Sequence, residues 1–451
     1  MTSTDSSRDT YLRPLRDGAV LIHAPSVTWA VSPDPAELED LAFDEVDLLR
    51  ARENILRDRR TNRIDQVELH LTDRCNMRCR YCYVPLEMRS RAPDLAYADV
   101  RKILADARAL GARQGVSPVI HFHGGEPGLA APLMRHIVEE HHREFTFVVQ
   151  TNGTVLTDED IAFLLGYGVE IGLSLDALGE TDADIRRGIS KSRVLQSLQT
   201  IRRIKGTAPN VIVTASSANV PTLPDTVRGL HGLGVSSLTI NPVLPYVPLP
   251  EDIIPEQTEL TRAYLECVDF ALGTVADRSR PLFINNMESF AISILTSRSS
   301  SYCEMSPCGA GRMILVVDSQ GRVFPCSGLM ANQEFCCGSA LDPRTSLADL
   351  LDSHPIKVLQ TRRCAEFSPC SNCPYREICG ANCPIPDINA RGDTAKPSPW
   401  CGLRQALIDT IFNHAIQRPD AILDFISHET QASLLGAELK PAVFRSPSPA
   451  H

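Results

Sequence analysis

Long apolar runs are missing from this 451-residue sequence. No stretch reaches the roughly eighteen apolar residues that carry a helix across a bilayer, so no membrane partner is expected. The first ten residues are polar, contain acids and lack the apolar core of a secretory signal. A cytoplasmic protein is expected. An excess of basic charge is missing too. The chain has 45 Lys and Arg against 55 Asp and Glu, a formal net of −10. That argues against nucleic acid or an anionic surface as the main partner. No repeat of solenoid length is found. In a reducing compartment the 15 cysteines do not read as a disulfide framework, and metal binding is the better expectation.

What is present is unevenly spread. Cys75, Cys79 and Cys82 form one tight group, Cys267 stands alone, and the other eleven cysteines lie between Cys303 and Cys401. Length and 43% hydrophobic content suit two or three domains. The start reads as a frayed end followed by short apolar runs (19–23 and 27–31) and an acidic helix from Pro35, a small cap. From residue 65 strands alternate with amphipathic helices. The strands are expected at 67–71, 119–122, 146–149, 169–175, 210–214 and 237–241. This alternation indicates βαβ units and a parallel sheet. Six units give an open, partial barrel, where eight would close one. A Pro-rich stretch (242–255) ends the region, a helix near 257–272 bridges onward, and a last helix is expected at 403–415. The tail after 435 is expected to be disordered.

Cys75-x3-Cys79-x2-Cys82 directly follows the first strand, and chemistry on a parallel barrel sits at the C-terminal ends of its strands. Three thiolates on one loop ligate three irons of a [4Fe–4S] cluster and leave the fourth open. Structural zinc prefers four protein ligands, and only His70 lies near. Gly124-Gly125-Glu126-Pro127 follows the second strand, and Gly172 to Asp176 runs along the fourth. The glycines Gly166 and Gly168 come after a helix and before a strand, the reverse of a Rossmann loop, and read as helix capping.

These motifs, with the aromatic Tyr81 inside the cysteine group, resemble the radical S-adenosylmethionine (radical SAM) superfamily over residues 65–245. The resemblance implies an open iron that chelates S-adenosylmethionine. It implies a 5′-deoxyadenosyl radical that abstracts hydrogen, chemistry supplied by the cofactor. It also implies roles. Gly124 and Gly125 allow close backbone approach to the methionine moiety, beside Pro127, and Glu126 receives its ammonium. Ser174 and Asp176 hold the ribose, Arg186 the carboxylate, and Tyr81 packs near adenine. Asn152 is a further candidate. The family often has Asp-Gly where this chain has Asp176-Ala177.

The C-terminal spacing reads Cys308-x12-Gly321-x4-Cys326, then Cys370-x2-Cys373-x5-Cys379-x3-Cys383, then Cys401, with Cys303 five residues before Cys308. It resembles the SPASM domain, which holds two auxiliary [4Fe–4S] clusters. A zinc-ribbon pair shares only the Cys-x2-Cys element. The family's interleaved pattern implies Cys303, Cys308, Cys326 and Cys383 for one cluster and Cys370, Cys373, Cys379 and Cys401 for the other. Some relatives leave the Cys303 iron open. Cys267 reads as core, and Cys336, Cys337 and Cys364 as extra to the pattern.

The expected architecture is α/β: a cap with a candidate peptide-binding segment (1–62), a partial (β/α)6 barrel (63–250), bridging helices (251–300), a SPASM domain (301–402), and a C-terminal helix and tail (403–451). Three [4Fe–4S] clusters and S-adenosylmethionine are the expected cofactors. The expected partners are a precursor peptide and an electron donor such as flavodoxin or ferredoxin. The resemblance implies peptide modification. Crosslinking or a related oxidation of a ribosomally made peptide is favoured over sulfatase-type formylglycine formation. Sulfatase maturases carry an aspartate base after the cysteine matching Cys326, and here Ser327 stands there. Building a cofactor from a precursor peptide is another reading, and a non-enzymatic iron–sulfur electron carrier is the reading of another class. His121, His123, Tyr302 and Glu304 are polar residues near the expected site without an assigned role.

Overall fold

The computed structural model describes residues 9–60, 62–179, 185–188, 190–277, 280–381, 383–392, 396, 398–434 and 443–444. Residues 1–8 and most of the tail after 434 lie outside these, and with them the expected fraying and disorder. The cap is an antiparallel meander of Thr10–Leu15 (β1), Gly18–His23 (β2) and Thr28–Ser32 (β3). The two apolar runs became β2 and β3. The strand β1 carries Pro14 and the charged Arg13 and is half exposed, as an edge strand can be. The acidic helix starts later than expected, at Glu45–Arg60 (α1), after a single turn at Ala36–Glu39.

The six expected strands form as Gln66–Leu69 (β4), Val119–Phe122 (β5), Phe147–Thr151 (β6), Glu170–Ser174 (β7), Val211–Ala215 (β8) and Ser237–Pro242 (β9). All neighbouring pairs are parallel, in the order β4-β5-β6-β7-β8-β9. Helices Tyr97–Gln114 (α2), Ala131–His141 (α3), Asp158–Gly166 (α4), Lys191–Lys205 (α5) and Leu223–Gly232 (α6) connect them. A capping box sets the start of α4, with Thr157 and Asp160 each bonding the other's backbone N–H. Gly168, at φ +78°, follows this helix, in keeping with the capping reading.

Side chains along a strand alternate between the two faces of the sheet. One set (Val67, Leu69, Ile120, Phe122, Val149, Leu173, Val211, Val213) is fully buried in the main core. The other set is largely polar. Gln150, Ser174, Thr214, Thr239 and Asn241 line an internal cavity. The barrel's apolar stripe therefore packs on helices, and its polar stripe makes the site.

The sheet does not stop at six strands. Phe283–Ile284 (β10) pairs in parallel with β9. At the other end Ile314–Val317 (β11) pairs in parallel with β4, and the hairpin strand Arg322–Phe324 (β12) and Gly338–Ser339 (β13) follow it. The cysteine-rich region is thus hydrogen-bonded into the barrel sheet and not appended to it. All four β11 residues are buried. A strand so apolar is buried on both faces and needs a parallel neighbour inside the fold. Gly321 turns the β11–β12 hairpin at φ +75°, where a Cβ would sit 2.3 Å from Leu341.

Three further long helices, Gln257–Asp277 (α7), Asn285–Thr296 (α8) and Cys401–Gln417 (α9), pack into the same core. Cys267 is fully buried in α7, as expected. The cap packs on α9. Arg13 makes a bidentate ion pair with Asp409, at 2.8 and 2.6 Å, and Trp29 meets Phe412 edge-on at 5.4 Å. No described helix is long and apolar enough to cross a membrane.

Candidate active site

Cys75, Cys79 and Cys82 lie on the loop that leaves β4 and line a cavity of about 900 Å³. Cys303, Cys326 and Cys383 line the same cavity. Cys308 joins these last three, and the four thiols face one another closely enough to disfavour each other's ionisation. Cys370, Cys373, Cys379 and Cys401 line a second cavity of about 280 Å³. The two fours drawn from the interleaved pattern are therefore brought together in space. Cys364 is buried beside Cys370. Cys336 packs with Met88, Phe324 and Met330.

Of the residues expected around S-adenosylmethionine, Tyr81, Gly124, Gly125, Asn152, Ser174 and Arg186 line the large cavity. Tyr81 donates to Asp176 at 2.5 Å, and Asp176 also accepts from the Thr214 N–H at 2.9 Å. Arg186 donates to the Ser174 carbonyl. Gln150, which the sequence reading did not single out, donates to the Ser174 hydroxyl at 2.9 Å.

Glu126, Pro127 and Asp176 stand behind the wall. The Glu126 carboxylate is fully buried and accepts from the Thr151 hydroxyl (2.6 Å), the Gly128 N–H (2.8 Å) and the Asn152 N–H (2.8 Å). Burial pushes its pKa up, and these donors oppose the shift. It holds the loops after β5 and β6. The two glycines also have a nearer cause than a ligand. A Cβ on Gly125 would lie 2.1 Å from the Arg74 carbonyl, and one on Gly124 2.8 Å from both His70 and Thr72. The loop carrying the cysteines passes directly over them.

A second set of polar groups sits beside Cys326. Glu68 on β4 is 5% exposed. Its carboxylate receives the Ser327 hydroxyl at 2.6 and 2.7 Å, His70 Nε2 at 2.8 Å and His123 Nδ1 at 3.2 Å. His70 Nδ1 lies 2.7 Å from Asp73, which also accepts from the Ser319 N–H. Burial pulls the His70 pKa down, but the two carboxylates outweigh it and push it up to about 10. Glu68 is held well below its usual range despite its burial, by His123 and His70. His121 is different. Burial pushes it down to about 4, it pairs with Gln66 at 3.2 Å, and it is absent from the cavity wall. His123, Tyr302, Glu304 and Ser327 do line the cavity.

The Radical SAM superfamily model matches residues 69–228, and the SPASM model, an iron–sulfur cluster-binding domain, matches residues 308–374. The chain is a radical SAM protein with a SPASM domain. An uncharacterised protein of Archaeoglobus fulgidus is 30% identical over 333 residues, 73% of this chain and 76% of its own. A PqqA peptide cyclase of Streptomyces rochei is 26% identical over 365 residues, 78% of this chain and 93% of its own. The structure of anSMEcpe with bound AdoMet and a peptide superposes with a TM-score of 0.68 at 18% identity, covering 79% of this chain and 99% of that one. Its likeness is one of fold.

The residues of this radical SAM protein fit iron–sulfur clusters on chemical grounds. Burial raises the pKa of every thiol in the three groups for which a shift is resolved, pushing Cys79, Cys370 and Cys383 to about 12. The thiols within a group also repel one another when ionised. Buried thiolates packed together need a cation, and metal coordination deprotonates them outright.

Proposed function

We propose that this protein is a radical SAM oxidoreductase that removes hydrogen from a peptide and installs a crosslink or related oxidation in a ribosomally made precursor. The observation that carries this reading is the shared cavity, with Cys75, Cys79 and Cys82 on one wall and Cys303, Cys326 and Cys383 on another. A substrate seated between them meets a radical source on one side and an electron acceptor on the other.

In this reading Cys75, Cys79 and Cys82 hold the S-adenosylmethionine cluster. Cys303, Cys308, Cys326 and Cys383 hold one auxiliary [4Fe–4S] cluster, and Cys370, Cys373, Cys379 and Cys401 another. S-adenosylmethionine on the reduced cluster supplies the family's hydrogen-abstracting radical. The chain's own residues position and enclose. Tyr81, Ser174 and Arg186 face the nucleoside and carboxylate ends, with Asp176 fixing Tyr81. Gly124, Gly125 and Asn152 form the floor, held from behind by Glu126 and Pro127. The relatives named for peptide substrates support a peptide. A reduced flavodoxin or ferredoxin supplies electrons in a cytoplasmic, reducing setting.

The test is anaerobic reconstitution followed by dithionite and S-adenosylmethionine. About twelve irons per chain and formation of 5′-deoxyadenosine are expected. Peptides encoded by short reading frames beside the gene then lose two hydrogens by mass. About four irons with zinc in the remaining sites would overturn the auxiliary-cluster part. A second reading, formylglycine formation, is favoured by one observation. Ser327 is hydrogen-bonded to a carboxylate, Glu68, so an acid stands behind the wall beside Cys326. A hydrazide probe labels a formylglycine aldehyde and leaves a crosslink unlabelled.

A further inference from the structure

Neither the cluster cysteines nor the residues around S-adenosylmethionine account for the charged group on the inner face of β4 and β5. We propose that His123, backed by Glu68, takes the proton that the substrate gives up, with His70 and Ser327 as positioning residues for Glu68. The proposal rests on the reading of the cavity given above.

His123 lines the cavity with about a quarter of its side chain exposed (26%), while Glu68 behind it is nearly enclosed. The ring turns Nδ1 to the carboxylate at 3.2 Å and to the Tyr83 hydroxyl at 3.5 Å, so the proposal assigns the substrate proton to Nε2. A carboxylate that orients an imidazole through one nitrogen and stabilises the imidazolium is a recurring catalytic arrangement. Glu68 is itself immobilised, by His70 from its own strand and by Ser327 from the SPASM region.

His123 stands beside a cluster of buried charges. His70 lies between Glu68 and Asp73, with each ring nitrogen within 2.8 Å of a carboxylate oxygen. Asp73 further faces Asp318, which Arg322 pairs at 2.7 Å, and His123 is the imidazole of this cluster that meets both the Glu68 carboxylate and the cavity.

Glu68, His70 and His123 also have the composition of a metal site, their donor atoms all within 4.8 Å of one another. The hydrogen bonding argues otherwise. Both His70 nitrogens face carboxylates, and Ser327 bonds to both Glu68 oxygens. With both of its nitrogens engaged by carboxylates, His70 has none left for an ion.

The chemistry balances without a further reagent. After one hydrogen atom has left, the substrate radical has one electron to lose, which a [4Fe–4S] cluster held by Cys303, Cys308, Cys326 and Cys383 would accept. The radical gives one proton to His123 Nε2. The new bond or double bond forms from the electrons that remain, and the peptide is two hydrogens lighter.

The experiment uses the reconstituted holoenzyme and the peptide that the wild type dehydrogenates. Glu68→Gln and His123→Gln are compared for iron content, 5′-deoxyadenosine and product. The ratio of product to 5′-deoxyadenosine should fall about 10²-fold in His123→Gln, within the range for loss of a general base, and Glu68→Gln should follow it. Unchanged coupling in His123→Gln overturns the proposal, and so does an equal fall of both quantities, which marks a structural role. Should Glu68→Gln lose iron, His123→Gln at the cavity wall decides alone. A stoichiometric cobalt(II) d–d band in the wild type, lost in His123→Gln, would make the group a metal site instead. Absence of 5′-deoxyadenosine from the wild type would overturn the broader reading and this proposal with it, whereas 5′-deoxyadenosine with unchanged coupling in His123→Gln overturns this proposal alone.

Discussion

At the scale of single residues, Arg404 shows how much chemistry a buried cation can carry. It extends from α9, with Nε 3.2 Å from Cys379 Sγ and Nη2 3.2 Å from Glu304 Oε1, and its guanidinium lies over Phe290 at 4.9 Å. Both cavities include it among their walls. It thus places a cation, paired with Glu304, at the walls that carry the two four-cysteine groups. A nearby cation stabilises the reduced form of a cluster. Arg404→Gln should therefore move the potential of the cluster proposed at Cys379 to a more negative value, and Arg404→Lys should move it less. A redox titration followed by electron paramagnetic resonance reads this directly. Nothing in the local sequence singles Arg404 out, because its partners come from three separate segments.

At the scale of elements, the strand–loop unit around the first cysteine group is a tight fit between two backbones. The loop 72–74 passes over Gly124 and Gly125 so closely that no Cβ fits. Gly125→Ala must push the Arg74 carbonyl away, and the cysteine loop with it. Overpacking of this kind costs about 1–3 kcal/mol. The expected outcome is lower unfolding stability in denaturant, together with iron lost selectively from the three-cysteine site. The strands themselves were legible in the sequence because each βαβ unit repeats one local pattern. The two-residue strand β10 and the hairpin strands β12 and β13 were not. Such short pieces have no periodicity of their own and exist because a neighbouring strand edge is there to pair with.

At the scale of the whole molecule, the chain closes on itself. The cap's first strand reaches α9 across nearly the full length of the sequence, through Arg13 and Asp409, with Tyr375 donating to the same carboxylate at 2.6 Å. Trp29 is 3% exposed between Phe412 and the carbonyl of Ile294. Truncation of so large a buried aromatic costs about 3–5 kcal/mol. Trp29→Ala should lower the unfolding midpoint and make the cap a preferred site of limited proteolysis. If the cap were an independent module, cleavage there would be as fast in the wild type.

Some properties are written in the sequence alone. The cysteine spacings, the Gly-Gly-Glu-Pro turn and the strand–helix alternation identify a radical SAM and SPASM architecture. Ligands that share a loop are fixed relative to one another by a few peptide bonds. The choice of a base is a different kind of question. Ser327 read as a weak substitute for a carboxylate, yet Glu68, 259 residues earlier, bonds to its hydroxyl. That contact exists only because β11 pairs with β4 and carries the SPASM region against the first barrel strand. Spacing in sequence determines which groups a loop can hold, while pairing between distant strands determines which charges meet inside the cavity.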